Sequence, residues 1–229
     1  IPFAFPYDRD RDLLKLQMEK LMECLNVGWD QVVAQKDKLD RVRRLVWEID
    51  RLTWEENLVT GWENHYYQVC CSDFNGNPEK FGEEIEKFME KVQQRKPLSH
   101  KIRLGFIGVP PIFTNIYQYL EEAGARVVFN EVQRQFSMPF PKADIVEQYR
   151  MYTYPYHVFQ RIGDICREIE RRKIDAVIHY TQSFCFRQIE DMIFHHKINV
   201  PLLSLEGDRP GHLDARSKMR IDSFLEMLR

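Results

Sequence analysis

The feature that most constrains the fold is an alternation that begins after Lys96-Pro97. Four short β-rich apolar runs, Ile102 to Ile107, Arg126 to Phe129, Ala176 to Tyr180 and Leu202 to Leu205, are each followed by helical periodicity, near 116–123, 156–172, 186–196 and 214–228. Strands joined through helices pair parallel, and a parallel sheet must be covered on both faces. The pattern therefore predicts a doubly wound α/β domain over 98–229 with a four-stranded parallel sheet.

The preceding residues read as helical. Leu14, Met18, Leu21 and Leu25 recur at helical spacing before Gly28, and Leu39, Val42, Val46, Ile49 and Leu52 form a second stripe that runs toward Gly61. A third helix is expected over Trp62 to Cys71. After the turn Asn75-Gly76-Asn77-Pro78, a fourth is expected over Glu79 to Gln94. The expected organisation is a helical segment, 1–97, ahead of the α/β domain.

Composition narrows the function classes. The 229 residues are 44% hydrophobic, enough for a sizeable core, and 33 Lys and Arg face 35 Asp and Glu, so no global charge draws the chain to nucleic acid. No apolar run approaches the ~20 residues of a membrane helix. Five irregularly spaced cysteines without a signal-peptide pattern lead to the expectation of reduced thiols in a cytoplasm. The chain opens Ile1-Pro2-Phe3 without an initiator Met, and a piece of a longer protein is expected, with any interdomain site half visible.

Ligands of open α/β sheets sit beyond the carboxyl ends of the strands, which directs attention to Gly108-Val109-Pro110-Pro111, Asn130-Glu131, Thr181-Gln182-Ser183-Phe184-Cys185 and Glu206-Gly207-Asp208-Arg209-Pro210-Gly211. Cys185 follows a strand and is expected to open a helix. There, free N–H groups and the helix dipole favour a thiolate able to bind iron or act as a nucleophile; the alternative is a small core residue. Cys24, Cys70, Cys71 and Cys166 read as structural, Cys70 and Cys71 pointing about 100° apart on a helix. No Cys-x-x-Cys pair or zinc-finger spacing occurs. Arg187, Gln188, Glu190 and Asp191 read as a solvated helix face, or, for Arg187 and Gln188 in the first turn, as donors at the mouth of a site. Glu206 and Asp208 are candidates at a strand end, beside an expected helix cap at Asp214. His179 and His195-His196 read as isolated, and Tyr152, Tyr154, Tyr156 and Phe159 as packing more than pocket. A Gly-rich phosphate loop, a Gly-x-Ser-x-Gly elbow and a His-Glu-x-x-His helix are all missing.

Taken together, Ile107-Gly108-Val109-Pro110-Pro111, Val127-Val128-Phe129-Asn130-Glu131, the stretch Tyr180 to Asp191, Leu205-Glu206-Gly207-Asp208 and Leu213-Asp214-Ala215-Arg216 resemble the C-terminal half of the 2-hydroxyacyl-CoA dehydratase / benzoyl-CoA reductase family. The resemblance spans 8–229 and is strongest from 102 onward. It implies a flavodoxin-like domain and an iron-sulfur cluster, [4Fe-4S] or double-cubane [8Fe-9S], held by three cysteines per subunit. Cys185 matches the one that follows a strand of the C-terminal domain; the other two belong to an N-terminal domain that this sequence does not show. Pro110, Gln182, Ser183, Arg187, Gln188, Glu206 and Asp208 would form the cluster or substrate neighbourhood. The implied partners are a second subunit, identical or different, and an ATP-dependent iron-sulfur activator that injects one electron. The implied chemistry is radical dehydration of an acyl-CoA, in which a ketyl radical expels hydroxide. Phe184-Cys185-Phe186-Arg187-Gln188 also resembles the double-cubane branch, which reduces small molecules, and a non-catalytic scaffold subunit of the same fold is the rival. Because one thiolate cannot retain a cubane, the chain by itself is expected to carry no stable cluster.

Overall fold

The structure, a computed structural model, describes residues 3–6, 8–142 and 144–229, so Ile1 and Pro2 of the opening stretch lie outside the described residues. Helix α1, Arg11–Leu25, starts where the Asp10 side chain accepts from the Leu13 N–H and ends at Asn26 in the left-handed region. In α2, Trp29–Trp54, the stripe Val42, Val46, Ile49 and Leu52 is buried. It stops at Trp54, short of the expected Gly61. That glycine instead opens α3, Gly61–Cys70, because Thr60 and Glu63 form a reciprocal capping box there. A single 3-10 turn, Phe74–Gly76, leads to α4, Pro78–Val92, which has proline in its first turn, where no donor is lost. Val46, Ile49, Val59, Phe81, Ile85 and Val92 close the core of this helical layer.

The four expected strands form one parallel sheet: β1 Ile102–Gly108, β2 Ala125–Asn130, β3 Ala176–Thr181 and β4 Leu202–Glu206, in the order β2-β1-β3-β4. This is a flavodoxin-like, doubly wound order whose switch point lies between β1 and β3. Side chains alternate between faces along each strand. Phe106, Val127, Ile178 and Tyr180 meet α5, Ile116–Glu122, and α10, Ala215–Met227. Ile107, Val128 and Val177 meet α8, Val158–Arg172, and α9, Glu190–Lys197. Two further helices, α6 Glu131–Phe136 and α7 Ile145–Arg150, are too short for periodicity to reveal. Asn130-Glu131, expected as a loop after the second strand, leads directly into α6, whose polar residues Glu131, Gln133, Arg134 and Gln135 are all buried.

The helical layer packs directly on the sheet, with α3 against β2 and α6. Charge holds the contact. Arg172, fully buried, donates to Asp50 Oδ1 and Oδ2 at 2.9 and 2.6 Å, to Glu168 at 2.5 Å and to the Val128 carbonyl at 2.8 Å. Asp50 also accepts from Asn64 and Gln68 at 3.0 and 3.2 Å. Arg126 reaches from β2 to the carbonyls of Thr53 and Val59 and to Asn57 Oδ1, and burial pushes its pKa down to about 10.

Candidate functional site

The candidate site lies at the carboxyl ends of β1 and β3. Gly108 ends β1 with φ of 92°, and a Cβ there would stand 2.2 Å from the Tyr180 carbonyl oxygen. Only glycine allows the two strand ends to approach so closely. Its N–H donates to the buried Glu131 carboxylate at 3.1 Å. Beyond β3 the chain turns on a bond from Cys185 N–H to the Gln182 carbonyl, 2.9 Å, while Ser183 N–H donates to Asp208 Oδ1 at 2.8 Å and Gly207 N–H to the Thr181 carbonyl at 3.1 Å. The loops after β3 and β4 are thus tied together.

Cys185 does not open an α-helix, contrary to the expectation from its spacing. It precedes a 3-10 turn, Phe186–Ile189, closed by Gln188 N–H on the Cys185 carbonyl at 2.9 Å, and α9 begins only at Glu190. The aligned dipole invoked for a long helix is therefore displaced by one turn. Cys185 is partly exposed and lines a narrow cleft with Gly108, Val109, Tyr154, Arg161, His179, Tyr180, Thr181, Arg187 and Gln188. The cleft has about 10 Å³ of space, close to what one water needs.

Two polar chains brace this cleft. In the first, Arg161, 1% exposed, donates to Glu131 Oε1 at 2.8 Å and Oε2 at 2.7 Å and also bonds Glu190. Arg187 then binds Glu190 Oε1 at 2.8 Å and the Tyr154 carbonyl at 2.7 Å, with its guanidinium 4.3 Å above the Tyr154 ring. The charges run Glu131, Arg161, Glu190, Arg187, from the end of β2 to the turn that carries Cys185. Burial works against the charged Glu131, but Arg161 outweighs it and holds the carboxyl below the usual range. Arg187 is consequently engaged with the fold, not a free donor.

In the second chain, His179 Nδ1 lies 2.6 Å from Asp191 Oδ1, Ser204 Oγ donates to Asp191 at 2.7 and 2.8 Å, and His195 Nε2 is 3.0 Å from Ser204 Oγ. His179 is 1% exposed and meets Phe194 edge-on; His195 is half exposed. Both histidines, read as isolated from sequence, thus belong to one hydrogen-bonded row reaching from the cleft to the surface. Burial opposes the Asp191 charge, while the bonds from His179 and Ser204 more than compensate and lower its pKa. The available sequence signal was a histidine at an inward position of an otherwise apolar strand, where a polar ring requires a partner.

The remaining candidates separate. Gln182 and Ser183 shape the Cys185 turn, Gln188 lines the cleft, and Pro110 lies one residue beyond it. Glu206 and Asp208 face a different cavity of about 290 Å³ beyond β4, with Arg209, Asp214, Arg216 and Arg220. Between the two, Gly207 leaves no room for a side chain: a Cβ would stand 2.6 Å from both Phe113 and the Tyr180 hydroxyl, which itself donates to the Gly207 carbonyl at 2.8 Å. Phe184, Phe186 and Ile189, beside Cys185 in the chain and on the turn it opens, are exposed apolar side chains, as is Met192 on α9.

Over residues 1–228 the chain matches the family HGD-D, described as 2-hydroxyglutaryl-CoA dehydratase, D-component. The chain belongs to this family. The match takes in the helical layer as well as the sheet, and the D-component description places dehydratase chemistry in a system of more than one component. No curated protein matches the chain. In this member of the D-component family, no three His, Cys, Asp or Glu side chains among the described residues are grouped to hold a metal ion. The other four cysteines do not line the cleft. The described residues therefore do not by themselves fit an iron-sulfur cluster; what they present is one thiol on a braced turn. No helix among the described residues is long and apolar enough to cross a membrane.

Proposed function

We propose that the chain is the iron-sulfur component of a 2-hydroxyacyl-CoA dehydratase-type enzyme in a cytoplasm, with Cys185 as one cluster ligand. The observation that carries this reading is the position of Cys185: on the cleft at the β1/β3 switch point, where α/β folds bind ligands, on a turn anchored by the Glu131–Arg161–Glu190–Arg187 chain. Such anchoring suits a ligand that must be held in one geometry.

The remaining ligands come from outside the described residues, and the exposed side chains of Phe184, Phe186 and Ile189 suit a surface that is covered in the assembled enzyme. A [4Fe-4S] or double-cubane [8Fe-9S] cluster, held by Cys185 together with ligands from elsewhere, would supply one-electron transfer at low potential. The chain's own contribution is to position the Cys185 sulfur, restrict water to a cleft of molecular width and orient His179 through Asp191 beside it. The partners are a second subunit and an ATP-dependent activator that delivers the electron, and the substrate is a 2-hydroxyacyl-CoA.

The test is Cys185→Ser in the full-length protein, prepared without oxygen and assayed for iron and sulfide alongside the wild type. The wild type should hold a stoichiometric cluster and the variant should lose it along with dehydration of 2-hydroxyacyl-CoA. A variant with full iron, sulfide and activity would remove Cys185 from the site.

A further inference from the structure

A second built site lies between α1, α2 and α7, and none of its lining residues lines the Cys185 cleft. One cavity there, of about 340 Å³, is walled by apolar side chains that include Phe5, Met18, Met22, Leu25 and Trp29. An adjoining cavity of about 290 Å³ shares Val27, Val32, Ile145 and Tyr149 with the first, then continues to Lys36, Arg43 and Gln148. Both volumes are near or within the roughly 300–1,000 Å³ of small-molecule sites, which combine apolar walls with a few placed polar groups.

The polar end has unused donors. Gln148 is 2% exposed, and its Nε2 has no hydrogen-bond partner. Arg43 Nε is also buried without a partner, although Arg43 Nη1 reaches Asp40 at 2.8 Å. Asp40 is shared, since Lys36 Nζ lies 2.6 Å from it. Two cations therefore face one carboxylate, and the excess is positive. Buried polar groups are paired in stable proteins, so orphaned donors beside a cavity call for an acceptor from outside the fold. A carboxylate meets both needs, because it accepts from an amide and a guanidinium together and neutralises the excess charge.

We infer that this composite cavity binds a small acyl carboxylate, with its chain among Met18, Met22 and Trp29 and its head on Gln148 and Arg43. The ligand class is a medium-chain monocarboxylic acid. The site is separate from the proposed cluster chemistry, and its test does not depend on dehydratase activity.

Trp29 lies in the wall and serves as the reporter. Decanoate, titrated below its micelle concentration into the full-length protein, should give a saturable change in tryptophan emission that Trp29→Phe removes, with matching heat by calorimetry. Gln148→Leu should weaken decanoate about tenfold without changing decanol, which lacks the charge. Met22→Trp, which fills the apolar cavity, should abolish binding of both. Arg43→Met should act like Gln148→Leu; if it fails to fold because Asp40 loses a partner, Gln148→Leu decides alone, since its amide nitrogen holds no other group. The inference is overturned by the absence of saturable binding, by decanol binding the wild type as tightly as decanoate, or by undiminished binding in Met22→Trp.

Discussion

Replacing Arg161 with methionine removes one guanidinium and keeps most of the side-chain volume. In the native fold that group makes three bonds to two carboxylates, and Arg161 and Glu131 are 1% and 0% exposed. After Arg161→Met, Glu190 keeps Arg187, but Glu131 keeps only the Gly108 N–H. Stranding one member of a buried pair costs about 3–5 kcal/mol, against a total stability of roughly 5–15 kcal/mol. With a urea dependence of about 2 kcal/mol per molar, the unfolding midpoint should fall by about 2 M. Glu131→Gln in the same chain removes the stranded charge, and the double variant should recover about half the loss. Because Glu190 then anchors the turn less firmly, Cys185 should also alkylate several-fold faster with iodoacetamide. A midpoint shift under about 0.5 M, or a double variant no better than the single one, would refute the view that Arg161 compensates a buried Glu131 charge.

Gly207→Ala should lower the melting temperature through a loss of about 1–3 kcal/mol, because its methyl group meets Phe113 and the Tyr180 hydroxyl at 2.6 Å; a scanning calorimeter reads this directly. Asp50, Glu131 and Glu168 are buried, which alone would raise their pKa values, but the arginines beside them outweigh burial and hold all three below the usual range. Their stabilisation is therefore complete above the unfolded values near pH 4 and is lost as pH falls through the lower folded values. Urea midpoints measured from pH 7 to pH 3 should drop steeply at the acid end, and Asp50→Asn should flatten that drop. Cys71 is 1% exposed, and burial pushes its thiol up to about 12. Mass spectrometry after iodoacetamide at pH 8 should find it unmodified in the folded protein and modified in urea, whereas the exposed Cys24 reacts at once.

The α/β half of the fold was legible because its signals are local. The runs at 102–107, 126–129, 176–180 and 202–205 match the cores of β1 to β4, and the helix-length spacers require parallel pairing. The loop of Cys185 lies at the carboxyl end of β3, where open α/β sheets bind ligands, so its place in the fold follows from the strand order alone. Local reading failed where an element was short or a side chain had a distant reason to be where it is. Helices α6 and α7 have six residues each, under two turns, so no stripe can emerge. Gly61 resembled a stop because glycine commonly follows helices, but a capping box from Thr60 and Glu63 makes it a start.

What the sequence by itself determined was the strand set, the parallel sheet and the sheet edge that carries the candidate loops, since hydrophobic periodicity and connection length depend only on neighbours along the chain. The tertiary structure alone decided which charges meet. Arg161 finds Glu131 across 30 residues and Glu190 across 29, and His179 finds Asp191 across 12. Arg187, Glu190 and Asp191 look like a solvated helix face until the fold removes water from one side of them. In the interior each ion then requires a partner in three dimensions, and the partners lie on elements that no spacing rule connects.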